Sequence, residues 1–207
     1  MKKLLAFIIS LLSICFVKGQ SSVKICDQTW MTKNLDVSTY RNGDTIPQVT
    51  KDDDWVRLKT GAWCWYKNDS ATYESTYGKL YNWYAVNDSR GLAPIGWHIP
   101  TNAEWSTLTT CLGNPLVVAD KMKETGTIHW SNPNFATNSS GFTALPGGYR
   151  FWLFIGSFED IGTSSYFWSS TEKLDKSYDY VIDDKFSIST LSTSAKESGF
   201  SVRCIKE

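Results

Sequence analysis

The sequence predicts a single domain of the α+β class. Two helical patterns occur in the first half of the chain, and short strand patterns separated by turn residues fill the second half. Aromatic residues make up 14% of the chain, with rings spread from Trp30 to Phe200, as expected where large side chains anchor long irregular loops. No internal repeat and no Pro- or Ser-rich linker divides residues 20–207, so we predict one domain over that range.

Residues 1–19 have the layout of a secretory signal peptide, with two lysines, an uncharged and mostly apolar run, and then Lys18 and Gly19. We predict cleavage after Gly19 and export to the periplasm, the cell surface or the medium. The alternative is a lipoprotein signal that leaves Cys15 as a lipid-anchored N-terminus, although Ile14 fits poorly in front of such a cysteine. Both interpretations place the protein outside the cytoplasm.

The charge balance excludes one class of partner. The chain has 21 basic and 21 acidic residues, and loss of three leader lysines leaves 18 against 21, a net charge near minus three. Basic residues form no run or stripe of the kind that neutralises a phosphate backbone, so we expect no nucleic-acid partner. No segment after the leader approaches the roughly 20 apolar residues of a spanning helix, so we expect no transmembrane segment in the mature chain.

Three elements are predicted ahead of residue 90. Val23–Trp30 and Trp63–Tyr66 are predicted to be strands. Leu80–Val86 is predicted to be a helix, because its aromatic and apolar residues recur at i, i+3 and i+4, although the same aromatics also suit a strand.

The next segment carries the most regular signal in the chain. Gly96–Ile99 alternates apolar and polar side chains, which predicts a short strand. Thr101 and Glu104 have the spacing of a capping box, in which each side chain bonds the backbone amide of the other residue. We therefore predict a helix over Asn102–Leu112, with Gly113 in a left-handed conformation after its end.

The second half of the chain is rich in turn residues and short strand patterns. Turns are predicted at residues 131–134 and 138–141, where Gly, Asn, Ser and Pro cluster. Strands are predicted at residues 142–145, 166–169, 178–182, 186–189 and 200–205.

Four cysteines remain after cleavage at Gly19, which in an exported chain indicates disulfides. Cys64 and Cys204 both lie in strand-like segments, so we favour that pair among the three possible pairings. The alternative is that some of the four are small buried hydrophobic residues. None of the spacings resembles a zinc site.

The sequence offers little for catalysis or metal binding, and we predict no catalytic residue, cofactor or metal site. His98 and His129 are the only histidines, which rules out a site with many histidines. Residues 169–172 supply hydroxyls without a histidine at a motif spacing, so a hydrolase has little support. The acidic run at residues 52–54 could contribute oxygen ligands for calcium, but a solvated loop is the better interpretation.

Eight blocks of sequence, in order along nearly the whole mature chain, resemble the Fibrobacter succinogenes major paralogous domain family. That resemblance implies an exported bacterial protein and implies no particular activity. The blocks are QTWMTKNLDV (28–37), GAWCWYKND (61–69), YGKLYNWYAVND (77–88), RGLAPIGWHIPTNAEWSTL (90–108), KMKETGTIHW (121–130), ATNSSGFTALPGGYR (136–150), FWSSTE (167–172) and GFSVRCIKE (199–207).

Two of these blocks are also similar to a more distant group. HIPTNAEW (98–105) and GFSVRC (199–204) resemble segments of formylglycine-generating enzymes, which implies a C-type-lectin-like fold with two helices, small antiparallel sheets and long irregular loops. Those enzymes need a late pair of cysteines that binds copper. Only Cys204 is late in this chain, so a related enzyme is the least favoured of the functions considered.

The favoured function is a non-catalytic binding module at the cell surface, with a glycan or a protein as ligand. Trp65 and Tyr66 are candidate contacts, since sugar sites often stack aromatic rings, but the calcium-site triplets of sugar-binding lectins are not present. The other option is a surface assembly or adhesion scaffold. Phe151, Trp152 and Phe154 are its candidate partner contacts, because an apolar run replaces the family's polar turn after PGGYR; buried, the same run is a core strand.

Overall fold

The computed structural model describes residues 20–153, 156–184 and 189–207. Helices and sheets are mixed in this part of the chain, so the predicted α+β class is confirmed. The helices are α1 (Asp52–Trp55), α2 (Ser70–Tyr77), α3 (Trp83–Val86), α4 (Asn102–Leu112) and α5 (Pro115–Met122). The strands are β1 (Ser22–Ile25), β2 (Gln28–Met31), β3 (Trp63–Cys64), β4 (Leu80–Tyr81), β5 (Trp97–His98), β6 (Gly147–Arg150), β7 (Phe158–Ile161), β8 (Ser164–Lys173), β9 (Lys176–Asp183), β10 (Ser189–Ala195) and β11 (Ile205–Lys206).

Some of the predictions fall on other residues. The signal peptide, the lipid anchor at Cys15 and the partner contact at Phe154 lie outside the described residues. Among the described helices, none has the length and apolar character needed to cross a membrane.

The two ends of the domain meet in a four-stranded antiparallel sheet with the order β1-β2-β11-β5. The predicted first strand, Val23–Trp30, is wrong as one element. The chain reverses at Cys26, whose φ of 52° is left-handed, and β1 and β2 form a hairpin around it. Such a conformation is uncommon for a residue other than glycine, and a cysteine gives little warning of a turn.

The next two predictions are partly wrong for a shared reason, which is that each element changes type within a few residues. The strand predicted at Trp63–Tyr66 ends at Cys64, and Tyr66–Asn68 is a 3-10 turn. The helix predicted at Leu80–Val86 starts as strand β4 and becomes helical only at Trp83. Asn82 causes the switch, because its buried side chain accepts hydrogen bonds from the Ala85 and Ala62 amides at 3.1 and 3.0 Å.

Helix α4 matches its prediction at both ends. The Thr101 hydroxyl accepts from the Glu104 amide at 3.2 Å, and the Glu104 carboxylate accepts from the Thr101 amide at 2.7 Å, so the capping box is confirmed. Gly113 has a positive φ of 96°, but its ψ of −130° is not that of a left-handed helical residue. The strand before the helix is shorter than predicted and covers Trp97–His98.

The second half forms a five-stranded sheet with the order β10-β9-β8-β6-β7, antiparallel except for a parallel bridge between β6 and β8. The strands predicted at 166–169 and 178–182 lie inside β8 and β9. Residues 142–145 contain one isolated bridge, at Ala144, instead of a strand. Only Ser189 of the predicted 186–189 strand is described, and only Ile205 of the predicted 200–205 strand belongs to β11.

Aromatic rings fill the interior in three clusters. Trp65, Trp97 and Trp152 are half-buried, and no tryptophan is fully exposed. The other seven tryptophans are buried: Trp30, Trp55, Trp63, Trp83, Trp105, Trp130 and Trp168. The rings therefore serve mainly as core, which is how large side chains stabilise a fold with long loops.

The favoured disulfide prediction, Cys64 with Cys204, is wrong. Cys26 in the β1–β2 turn is bonded to Cys111 near the end of α4, with the two Cα atoms 6.7 Å apart. Cys64 and Cys204 are free and buried, and burial raises the pKa of each thiol to about 12. Both behave as small apolar residues, which is the alternative that the sequence left open.

Candidate binding groove

Several polar residues of the eight sequence blocks named above stabilise the fold. Arg203 is fully buried, and its guanidinium donates five hydrogen bonds, to the Asn34 side chain and to the Met31, Phe142 and Thr143 carbonyls, at 2.6 to 3.4 Å. The group also lies 4.6 Å from the centre of the Phe142 ring. Burial lowers the pKa of Arg203 to about 9, so it stays charged at neutral pH.

Three other buried cations follow the same pattern. Arg150 donates to the Val49, Thr50 and Gly156 carbonyls and pairs with Asp52 at 2.6 Å. Asp52 is thus held by a structural cation, as part of the short helix α1. Lys79 pairs with Asp36, and Lys123 pairs with Asp120 at 3.1 Å. None of these residues is left over for a ligand.

The pair formed by His98 and Glu104 is also structural. His98 Nε2 and Glu104 Oε1 are 2.7 Å apart, and the second carboxylate oxygen accepts from the Thr101 amide and hydroxyl. Burial would raise the pKa of Glu104, but the hydrogen bonds from Thr101 and His98 outweigh it and lower that pKa. Ser170 lines the same shallow cavity as His98, yet no hydrogen bond joins the two among the described residues.

A groove of about 470 Å³ lies between α4, α5 and strands β9 and β10, and we call it the α4–β10 groove. That volume is within the range of small-ligand pockets. The residues that line it are Trp105, Ser106, Thr109, Thr110, Gly113, Pro115, Val118, Tyr180 and Leu191.

Local sequence explains how these residues meet. The Thr101 cap starts α4 one turn before Trp105, which places Trp105 and Thr109 on one side of the helix. Asn114 then caps α5, whose first residue is Pro115, the position where proline is best tolerated. Tyr180 and Leu191 are cross-strand partners on β9 and β10 and project from the same face of the sheet.

The floor of the groove is a stacked pair of rings. The Trp105 and Tyr180 rings are 4.6 Å apart and 9° from parallel. Both residues are almost completely buried, so neither ring offers a free face. The Trp105 indole N–H is buried and has no hydrogen-bond partner among the described residues.

The chemistry of the lining suits binding better than catalysis. Apolar surface comes from Pro115, Val118 and Leu191, and hydroxyls come from Ser106, Thr109 and Thr110. The lining contains no carboxylate, amine, guanidinium, imidazole or thiol. Apart from the Tyr180 phenol, such a site lacks the side chains that most often act as general acid or base, but it can hold an apolar group and hydrogen-bond its edges.

Asp179 lies on the opposite face of β9 from the groove, since successive strand residues alternate sides. It is about 1% exposed, and neither carboxylate oxygen has a hydrogen-bond partner among the described residues. Burial raises the pKa of Asp179 to about 7, and the nearby Ser194 side chain acts in the opposite direction. No cation of the described residues pairs with it.

The contact residues predicted from sequence do not line this groove. Tyr66 is buried and packs against Phe158 with ring centres 5.3 Å apart. Trp65 is half-buried beside Trp63, under the Lys79 ammonium.

The apolar run after PGGYR is neither a core strand nor a fully exposed patch in its described part. Phe151 and Trp152 are half-buried with ring centres 6.3 Å apart, and Leu153 is exposed. Phe151 is tied back to Ser157 through a backbone hydrogen bond of 2.7 Å, which closes a loop between β6 and β7.

Comparisons with known proteins give a single finding. Residues 23–206 match the model of the Fibrobacter succinogenes major domain. No curated protein and no solved structure matches the chain significantly. The match includes all the residues that line the groove.

Proposed function

The chain belongs to the Fibrobacter succinogenes major domain family, and we propose that it is an exported, non-catalytic module that binds a ligand in the α4–β10 groove. One observation carries the proposal. The α4–β10 groove is lined by apolar side chains and hydroxyls, and its lining contains no carboxylate, amine, guanidinium, imidazole or thiol. Export is supported by the leader-like residues 1–19 and by the disulfide.

The groove favours a protein ligand over a glycan. Sugar sites use aromatic rings with an open face, whereas Trp105 and Tyr180 are 0% and 2% exposed. An apolar side chain of a partner would instead fill the space between Val118 and Leu191, with its polar edges near the Thr109 and Thr110 hydroxyls. A surface assembly or adhesion scaffold would use the same groove, with one permanently bound protein as its partner.

We also propose the finer fold type, a C-type-lectin-like domain. Its support is that the two blocks resembling formylglycine-generating enzymes lie close together, since His98 of the first block pairs with Ile205, the residue directly after the second block. The related enzyme activity gains no support from the free cysteines. Cys64 and Cys204 are both buried with raised thiol pKa values, the opposite of reactive thiolates.

The test is a screen of the purified protein against a displayed peptide library and a glycan array, followed by titration of the selected ligands. Ser106→Trp places a large ring in the mouth of the groove from an exposed helical position. We expect it to weaken binding of a selected peptide at least tenfold. Groove-independent binding, or saturable binding to glycans alone, would contradict the proposed site and ligand class.

Thr107→Trp is the matched control. Thr107 is the next residue of α4, is also exposed, and does not line the groove. Ser106 and Thr107 each donate a hydroxyl hydrogen bond to the carbonyl four residues earlier, at 2.9 Å in both cases. The two substitutions therefore cost the helix the same local contact, and only the one in the groove should change affinity.

A further inference from the structure

Strand β10 differs from the other strands that end a sheet. Natural edge strands are protected from pairing with other chains by charge, short length or bulges. β1 carries Lys24, β7 carries Glu159 and Asp160, and β5 has two residues. β10 has seven residues, reading STLSTSA, with no charge and no proline.

The outer edge of β10 is available for hydrogen bonding. β10 is the last strand of its sheet and pairs with β9 in an unbroken register from Ser189 to Ala195. In the part of the chain that the structure describes, residues 190–194 make no backbone hydrogen bond to any element other than β9. Every second residue of such a strand points its N–H and C=O outward.

Exposed apolar side chains lie next to this edge. Leu191 of β10 is 36% exposed. Helix α5 packs against β10 and carries Leu116 and Val117, which are 69% and 40% exposed. Strand pairing alone would bury little area, so these side chains supply the apolar contact that a stable interface needs.

We propose that β10 pairs antiparallel with β10 of a second copy of this chain, about a two-fold axis at Ser192. This register places Thr190 opposite Ser194 and Leu191 opposite Thr193, so each cross-strand pair joins uncharged side chains. The strand is thus complementary to itself, as an isologous two-fold interface requires. No charge on either strand would repel the other copy.

The pairing would join the two five-stranded sheets into one sheet of ten strands. Its two-fold axis is normal to the sheet, so the same face of each copy points in the same direction. Both α4–β10 grooves would therefore open on one side of the dimer. The interface itself does not depend on whether the groove holds a ligand.

The first test is the mass of the purified protein by sedimentation velocity over a wide concentration range. We expect a monomer that becomes a dimer as concentration rises. Thr193→Lys should abolish the dimer, because it sets an ammonium against Leu191 of the second copy. Ser22→Lys, which adds the same charge to the exposed edge strand β1, should leave the dimer unchanged. A protein that stays monomeric at all concentrations would overturn the proposal.

The second test fixes the register without adding a charge. Ser192→Cys places two thiols opposite each other at the axis, about 4.5–5.5 Å apart at Cβ, close enough to oxidise to a disulfide-linked dimer. Cys64 and Cys204 are buried and should not contribute. Ser22→Cys is the control and should stay uncrosslinked. A dimer that neither Thr193→Lys disrupts nor Ser192→Cys crosslinks forms through another surface, which would also refute the pairing.

Discussion

The closing segment of the chain and the β8–β10 part of the five-stranded sheet each contain one buried ionisable side chain. The two side chains differ in how many partners surround them. Arg203 has five hydrogen bonds from its guanidinium and two aromatic neighbours. Asp179 is buried to the same degree, and among the described residues its carboxylate has no cation partner and only Ser194 acts against the effect of burial. Every N–H of the first group is hydrogen-bonded, which offsets much of the cost of burying it, whereas the second group costs stability when it ionises.

This contrast indicates which part of the domain is optimised for stability. Four buried cations lie in the eight sequence blocks named above and hold loops through hydrogen bonds or ion pairs: Arg203, Arg150, Lys79 and Lys123. The Asp179 carboxyl lies in β9, on the face opposite the groove and one strand away from the open edge of β10. Features that lower stability are expected near functional surfaces, which supports a search for binding partners at this end.

The largest effect is expected at Arg203. Arg203→Met removes all five hydrogen bonds and leaves the Met31 and Phe142 carbonyls buried without a donor, so we expect a loss of about 4 kcal/mol in the free energy of unfolding. Urea denaturation followed by tryptophan fluorescence measures it. Arg203→Lys keeps the charge but has fewer hydrogen-bond donors. Its free energy of unfolding should lie between those of the wild type and Arg203→Met. If Arg203→Met were as stable as the wild type, the hydrogen bonds of Arg203 would not stabilise the fold.

Loss of the disulfide ranks next. Replacing Cys26 and Cys111 together by serine frees a loop with a sequence separation of 85 residues, and we expect a loss of about 3 kcal/mol. The measurement is the same denaturation with and without reductant. The double variant should be insensitive to reductant, whereas the wild type should drop to the stability of the variant.

Asp179 is expected to give an effect of the opposite sign. Its folded pKa of about 7 exceeds the ordinary value of 3.8, so the folded state holds the proton more tightly than the unfolded state does. Stability from this group is fully present below about pH 4, falls as the pH rises towards 7, and stays low above it. At about 1.4 kcal/mol per pKa unit, the shift corresponds to about 4 kcal/mol at most.

Asp179→Asn keeps the shape without the charge. We expect it to stabilise the protein by about 2 kcal/mol at pH 8 and by almost nothing at pH 4, measured by denaturation at both pH values. Asp88, whose pKa is lowered to about 2 chiefly by its hydrogen bond with Arg90, is a useful contrast. Asp88→Asn should destabilise at pH 8. If Asp179→Asn changed the free energy of unfolding equally at pH 4 and pH 8, ionisation of the carboxyl would not be the cause of the change.

The smallest effect is expected at the helix cap. Thr101→Ala removes the hydroxyl that accepts from the Glu104 amide and should cost about 1 kcal/mol. Thr101→Ser keeps the acceptor and should cost much less. Because α4 supplies one wall of the groove, this variant also tests whether affinity for a groove ligand follows the position of the helix.

How well the sequence predicted each element depends on the range of its interactions. The bounds of helix α4 match the prediction, because Thr101 and Glu104 set its start from three positions apart and Gly113 directly follows its last residue. The hairpin at Cys26 was missed, because its turn is held by a disulfide to Cys111 and a cysteine signals no turn. The α4–β10 groove could not be found either. Trp105 and Tyr180 are 75 positions apart and meet only through the packing of the sheet against the helices.

The disulfide between Cys26 and Cys111 also decides how the domain would carry a pulling force. Tension applied to the two ends of the chain crosses this bond directly, so the 84 residues between the two cysteines cannot be drawn out. At about 3.4 Å per extended residue, roughly 290 Å of chain is locked in. Strand β2 lies inside the bypassed loop, so the load path runs from β1 through the bond to Cys111 near the end of α4. Residues after Cys111 can still extend when they unfold, so the bond shortens the extensible length of the domain until a reductant reaches it at the surface.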